Sequence, residues 1–123
     1  MQPFALVIED NKDHALIFAE ALRAADYETE MVYDGETALA RLAATAPALV
    51  VLDLRIPRVP GREILRYIRA ENRLAETRVI LATGDHITAE RLHNEAEVVL
   101  IKPIDFIQLR DLAVRMRPPE SAD

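Results

Sequence analysis

Four short segments of this chain end on side chains able to carry metal and phosphoryl chemistry. Glu9-Asp10 follows the apolar run Phe4-Ala5-Leu6-Val7-Ile8, and Asp53 closes Leu49-Val50-Val51-Leu52. Thr83-Gly84-Asp85 follows Arg78-Val79-Ile80-Leu81-Ala82, and Lys102-Pro103 follows Val98-Val99-Leu100-Ile101. Three carboxylates in one crevice repel one another strongly unless a divalent cation sits among them. Magnesium prefers oxygen ligands and keeps several waters, so two carboxylates and a backbone carbonyl suffice to hold it. Asp53 is then a carboxylate nucleophile that could attack phosphorus and form an acyl phosphate. The metal and Lys102 would neutralise the equatorial oxygens, with the Thr83 hydroxyl and the Gly84 amide hydrogen-bonded to them.

That chemistry requires the four segment ends to meet. Runs of four or five apolar residues rich in β-branched types read as strands covered on both faces, as in a parallel sheet. Ile56-Pro57 and Pro60-Gly61 stop the third run soon after Asp53. Between the runs lie stretches of helical periodicity. The first runs from about Lys12 to Ala25, with Ala15, Leu16, Ala19 and Leu22 as its apolar stripe, and Asn11 or Lys12-Asp13 can open it. A weaker strand, Tyr27–Tyr33, and the turn Asp34-Gly35 precede a second helix over Glu36–Ala44, with Ala38, Leu39 and Leu42 inward. Gly61–Glu71 forms a third, striped by Ile64, Leu65 and Ile68. Ile87–Glu95 leaves room for two or three turns, and Asp105–Arg115 forms the last helix. Regular β-α alternation implies a parallel sheet with helices on both faces and right-handed crossovers. The expected fold is therefore α/β: a flavodoxin-like doubly wound sheet, order 2-1-3-4-5, with five helices. That order sets the first and third strands side by side at the switch point, where Glu9-Asp10 and Asp53 converge.

Composition narrows the setting. A chain of 123 residues fits one domain, here residues 1–117, with Pro118 to Asp123 as a frayed tail. No apolar run approaches the ~18 residues of a membrane span. Phe4 enters the first strand at once, leaving no room for a signal peptide. The absence of cysteine excludes disulfides and thiolate metal sites and suits the cytoplasm. A net charge of -6 argues against nucleic-acid binding by this domain. Arginine dominates the basic residues, and the only lysines are Lys12 and Lys102. A compact ammonium kept where arginine is the habit marks Lys102. His14, His86 and His93 fall in no ligand pattern and read as surface residues. Arg62, Arg66, Arg69 and Arg73 read as the solvent face of the third helix.

Ile8-Glu9-Asp10-Asn11, Leu52-Asp53-Leu54-Arg55-Ile56-Pro57 with Gly61, Ala82-Thr83-Gly84 and Ile101-Lys102-Pro103 together resemble the receiver domains of bacterial two-component response regulators. Each motif alone is weak; all of them in order on the expected strands are specific, and the likeness spans nearly the whole chain. The resemblance implies that Asp53 accepts a phosphoryl group from a histidine kinase or histidine phosphotransfer protein. It implies that Asp10, Asp53 and the Arg55 carbonyl bind Mg2+ directly, with Glu9 acting through water. Thr83 would be the switch hydroxyl and Lys102 the phosphate-pairing ammonium. A downstream protein target or a missing output domain would receive the signal.

Two features depart from that pattern. Receivers usually carry an aromatic residue three positions before the lysine, and Val99 stands there. The segment from Thr83 to Lys102 is also short, which abbreviates the fourth helix. Both favour an alternative, an interaction-only receiver without a phosphorylation cycle. A phosphohydrolase of the haloacid dehalogenase type would need a general-acid Asp two residues after the nucleophile, where Arg55 stands instead. Arg55 and Asp85 border the path of water to the acyl phosphate, and as an ion pair they would shield it.

Overall fold

The fold is given by a computed structural model in which residues 2–119 are described. The elements are β1 (Phe4–Ile8), α1 (Lys12–Ala24), β2 (Glu28–Val32), α2 (Gly35–Ala44), β3 (Leu49–Asp53), α3 (Gly61–Ala70), β4 (Arg78–Thr83), α4 (His86–Leu92), β5 (Val98–Ile101) and α5 (Phe106–Arg115). A 3-10 turn, Asn72–Leu74, follows α3. All the strand pairs are parallel, in the order β2-β1-β3-β4-β5. The expected doubly wound sheet is thus the observed one.

The strands read as unbroken apolar runs because alternate residues feed two separate cores. Ala5, Val7, Leu49, Val51 and Ile80 pack under α1 and α5 with Phe18, Leu22 and Leu109. Leu6, Ile8, Val50, Leu52 and Leu81 pack on the other face with Leu42, Ile64 and Ile68. Removing one such fully buried Leu or Ile side chain from water is worth about 1.5–3 kcal/mol. Every residue of β3 is buried, Asp53 included, so the Asp53 carboxylate is carried into the interior by its own strand.

Several details differ from the sequence reading. Leu16 is about half exposed, and Phe18 and Ala21 take its place on the buried face of α1. The reason is angular: Leu16 lies one residue, about 100°, round from Ala15 and faces away from the sheet. Leu39 is only partly buried against its core. β2 is one residue shorter than expected at each end, and the Tyr27 amide is spent on the Leu22 carbonyl at the end of α1. The third helix ends at Ala70, and Arg73 belongs to the 3-10 turn. There its guanidinium donates to the Leu42 and Thr45 carbonyls at the end of α2. Arg69 is likewise engaged, donating to Glu97 and to the Glu95 and Thr77 carbonyls. The four arginines expected on an open face are all exposed, but Arg73 lies beyond α3 and the guanidinium groups of Arg69 and Arg73 are hydrogen-bonded. Of the expected tail, Pro118 and Pro119 lack regular structure and residues 120–123 lie outside the described residues.

Two glycines fix the loop after β3. A Cβ on Gly61 would lie 2.6 Å from the Leu54 Cα, and one on Gly35 would lie 2.5 Å from the Val59 carbonyl oxygen. The starts of α2 and α3 therefore press directly on the backbone that leaves Asp53.

Tyr27 is fully buried, and its hydroxyl donates to the Ala113 carbonyl at 2.8 Å. That carbonyl is in the last turn of α5, where helix geometry leaves acceptors unpaired. Burial pushes the phenol up to about 12, so it remains a donor at all physiological pH. Tyr27→Phe should strand the acceptor and lower stability by about 1–3 kcal/mol. Urea unfolding should register this as a lower midpoint at unchanged slope.

Candidate functional site

The carboxyl ends of β1, β3, β4 and β5 meet at one rim of the sheet. There Glu9, Asp10, Asn11, His14, Asp53, Arg55, Gly84, Asp85 and Lys102 line a cavity of about 440 Å3. Each side chain arrives by local construction. β1 delivers Glu9 and Asp10 as it stops. Asn11 then caps α1, its side chain accepting from the His14 amide at 3.0 Å. β5 delivers Lys102, whose bond to Pro103 is cis, and Asp105 caps α5 through the Gln108 amide.

Asp53 is the centre of the arrangement and is 5% exposed. One carboxylate oxygen accepts from the Arg55 amide at 3.0 Å, and the other from Lys102 Nζ at 3.1 Å. Lys102 also donates to Glu9 Oε1 at 2.6 Å, and the other Glu9 oxygen accepts from the Asn11 amide at 3.1 Å. Glu9, expected to act through water, is therefore buried and held on both oxygens by protein. Burial pushes the Glu9 carboxyl up to about 7; Lys102 opposes the rise, and the neighbouring Asp53 adds to it. Burial also disfavours the charge on Lys102, but hydrogen bonds and charge from Glu9 and Asp53 outweigh it and hold that ammonium above its usual range.

Asp10 is exposed at the cavity mouth. Glu9, Asp10 and Asp53 each offer an oxygen within 4.8 Å of the others. A set of hard oxygen donors, bearing more negative charge than one lysine offsets, fits a small divalent cation. The acids brought together are the ones expected.

Thr83 is 4% exposed and opens on a neighbouring cleft of about 200 Å3, with Arg55, Arg62, Asp85 and Thr88 among its walls. Its hydroxyl oxygen accepts from the Asp85 amide at 3.1 Å. Gly84 is exposed, and a Cβ there would meet nothing within 4 Å. Asp85 caps α4, accepting from the Thr88 hydroxyl at 2.7 Å and the Ile87 amide at 3.0 Å. Those two bonds hold its carboxyl below the usual range, with the charge of Arg55 adding the least. Among the described residues no ion pair joins Arg55 to Asp85, so the expected closed lid is absent. The physical reason is competition: the cap of a two-turn helix takes the carboxylate first.

His14, read from the sequence as a surface residue, is exposed and stands at the wall of the cavity. A cavity of about 410 Å3 at the opposite end of the sheet also contains Arg73 and Arg78. Both guanidinium groups already donate to backbone carbonyls.

The model of the response regulator receiver domain matches residues 5–114. The chain belongs to that family, whose members are signalling domains of two-component systems. It is 32% identical over 116 residues to the regulatory protein FilR2 of Methanothrix harundinacea, covering 85% of this chain and 75% of that one. It is 30% identical to the response regulator ArlR of Staphylococcus saprophyticus, covering 94% of this chain but 53% of that protein. The chain thus spans about half the length of ArlR. In fold it matches the chemotaxis response regulator CheY4 of Vibrio cholerae, with a TM-score of 0.84, 21% identity, and coverage of 94% of this chain and 99% of that one.

Because Asp85 both caps α4 and faces the cavity, Asp85→Ala should loosen the first turn of that helix. Hydrogen exchange should show faster loss of the Ile87, Thr88 and Ala89 amides, while amides of β3 and β4 keep their protection.

Proposed function

We propose that this domain accepts a phosphoryl group on Asp53, in a Mg2+-dependent reaction, from a phosphohistidine of a histidine kinase or histidine phosphotransfer protein. The observation that carries the reading is the Asp53 carboxylate itself. It is buried, held in orientation by the Arg55 amide and Lys102, and flanked by two further acids.

Asp10, Asp53 and the Arg55 carbonyl would hold the cation, with Glu9 reaching it through water. When bound, it supplies positive charge to the oxygens of the transferring group. An Asp53 oxygen bonds to phosphorus as the phosphorus–nitrogen bond of the donor breaks. The departing imidazole keeps the electron pair and leaves neutral, since its other ring nitrogen carries a proton. Lys102 compensates charge that develops on the phosphoryl oxygens. The Thr83 hydroxyl accepts from Asp85 and keeps its own O–H free to donate to one of those oxygens. The exposed Gly84 amide is the second donor. The resulting state then biases a downstream target or an output domain carried on further chain. The domain itself acts without binding nucleic acid or membrane, in the cytoplasm.

One observation favours the interaction-only reading. Val99, half-buried against the core, has no ring to follow Thr83 inward. The intact set of Glu9, Asp10, Asp53, Thr83 and Lys102 outweighs it.

Intact mass after treatment with Mg2+ and acetyl phosphate should show one added phosphoryl group. Asp53→Asn should show none, and Asp10→Ala should slow the modification by at least about tenfold. An unmodified wild-type protein would sink the phosphoacceptor reading and favour the interaction-only one.

Arg55 and Asp85 both border the cavity, and we place them as separate controls on the lifetime of the acyl phosphate. Each alanine variant should shorten it. Since no ion pair joins them, the double variant should combine the two effects additively in free energy. Lifetimes followed after donor removal would expose a strong coupling, which would mean that the pair closes in the phosphorylated state.

A further inference from the structure

The short α4 ends at Leu92, and the chain from His93 to Glu97 then runs irregularly to β5. Two clefts open between this segment and α3. The upper one, about 200 Å3, is walled by Arg55, Arg62 and Thr88, and the lower one, about 250 Å3, by Arg66, Arg69, Asn94 and Glu95. Arg62, Arg66 and Arg69 fall at helical spacing on one side of α3, while its one acid, Glu63, lies about 100° round from Arg62. Arg69 is spent on Glu97 and the Glu95 carbonyl. Arg55, Arg62 and Arg66 are exposed, and among the described residues none of them forms an ion pair. In a chain of net charge -6, that is a local basic row without internal counter-charge.

We propose that the groove between α3 and α4 docks an acidic segment of a partner protein, extended along α3 with alternate carboxylates paired to Arg55, Arg62 and Arg66. One helical turn sets Arg66 about 6 Å along the axis from Arg62. Same-face residues of an extended chain recur at about the same distance, roughly 6.6 Å. A guanidinium fork pairs with a carboxylate through two parallel hydrogen bonds, which fixes the register of such a segment. Leu54, Pro60 and Leu65 give its backbone an apolar wall. Nucleic acid fits the groove less well. Asp85 and Glu95 stand in the same walls, and a peptide can set neutral residues opposite them where a phosphodiester chain carries a charge on every unit. No aromatic ring lines either cleft for a base to stack on. Docking here needs no phosphoryl group on Asp53.

The test is amide chemical-shift mapping of the full chain, without phosphodonor and at physiological ionic strength, titrated with a short synthetic peptide of alternating Glu and Thr. Shifts should concentrate on α3 and on residues 93–97. The Arg62→Gln/Arg66→Gln double variant, altered only at exposed side chains, should bind about tenfold more weakly. A charge-matched control, Arg110→Gln/Arg115→Gln on α5 across the sheet, should bind as wild type does. The same peptide with Gln in place of Glu should not bind. Absence of binding to wild type, shifts centred elsewhere, or equal weakening in the two double variants would overturn the proposal. So would a single-stranded oligonucleotide that shifts the same amides at lower concentration than the peptide, which would make the groove a nucleic-acid surface.

Discussion

The ammonium of Lys102 is the counter-charge on which the construction of the site depends. Glu9 and Asp53 have given up nearly all contact with water, and isolated buried carboxylates cost several kcal/mol each. One Nζ within 3.1 Å of both acids offsets that cost. It must come from β5, with β4 lying between that strand and β3. A lysine suits this task better than an arginine. Its point charge can sit between two carboxylates, whereas a guanidinium fork is shaped to pair with one. Arg69 and Arg73 do different work, spreading donors over backbone carbonyls where elements end.

The parts of the fold legible in the sequence are those governed by local rules. Parallel strands buried on both faces must be apolar throughout, so β1, β3, β4 and β5 announced themselves, and the residues that stop them announced the site. Asn11 opens α1 through its side-chain oxygen, which requires only the right residue beside an apolar stripe. What stayed hidden depends on approach between distant segments. Nothing near Tyr27 indicates that its hydroxyl will reach α5. Nothing near Arg73 indicates that α2 will end within its reach.

The site shows the same division. Its acids, hydroxyl and lysine were legible because each lies at a strand end and the strand order brings them together. The Arg55–Asp85 pair was reasoned from opposite charge alone, and the capping role of Asp85 overrode it.

The three glycines of the chain are mechanically unequal. Gly35 and Gly61 are keystones: with no space for a methyl group, they wedge the backbone after Asp53 into a fixed jaw. Gly84 borders open solvent and is a residue of free choice. The opposing side, from Thr83 to the short α4, is held by the β5 ladder at Thr83, by the local bonds of Thr83 and Asp85, and by the buried Ala89 and Leu92. Substitution is therefore tolerated unevenly around Asp53: a side chain added at Gly35 or Gly61 must displace backbone, while one added at Gly84 displaces nothing.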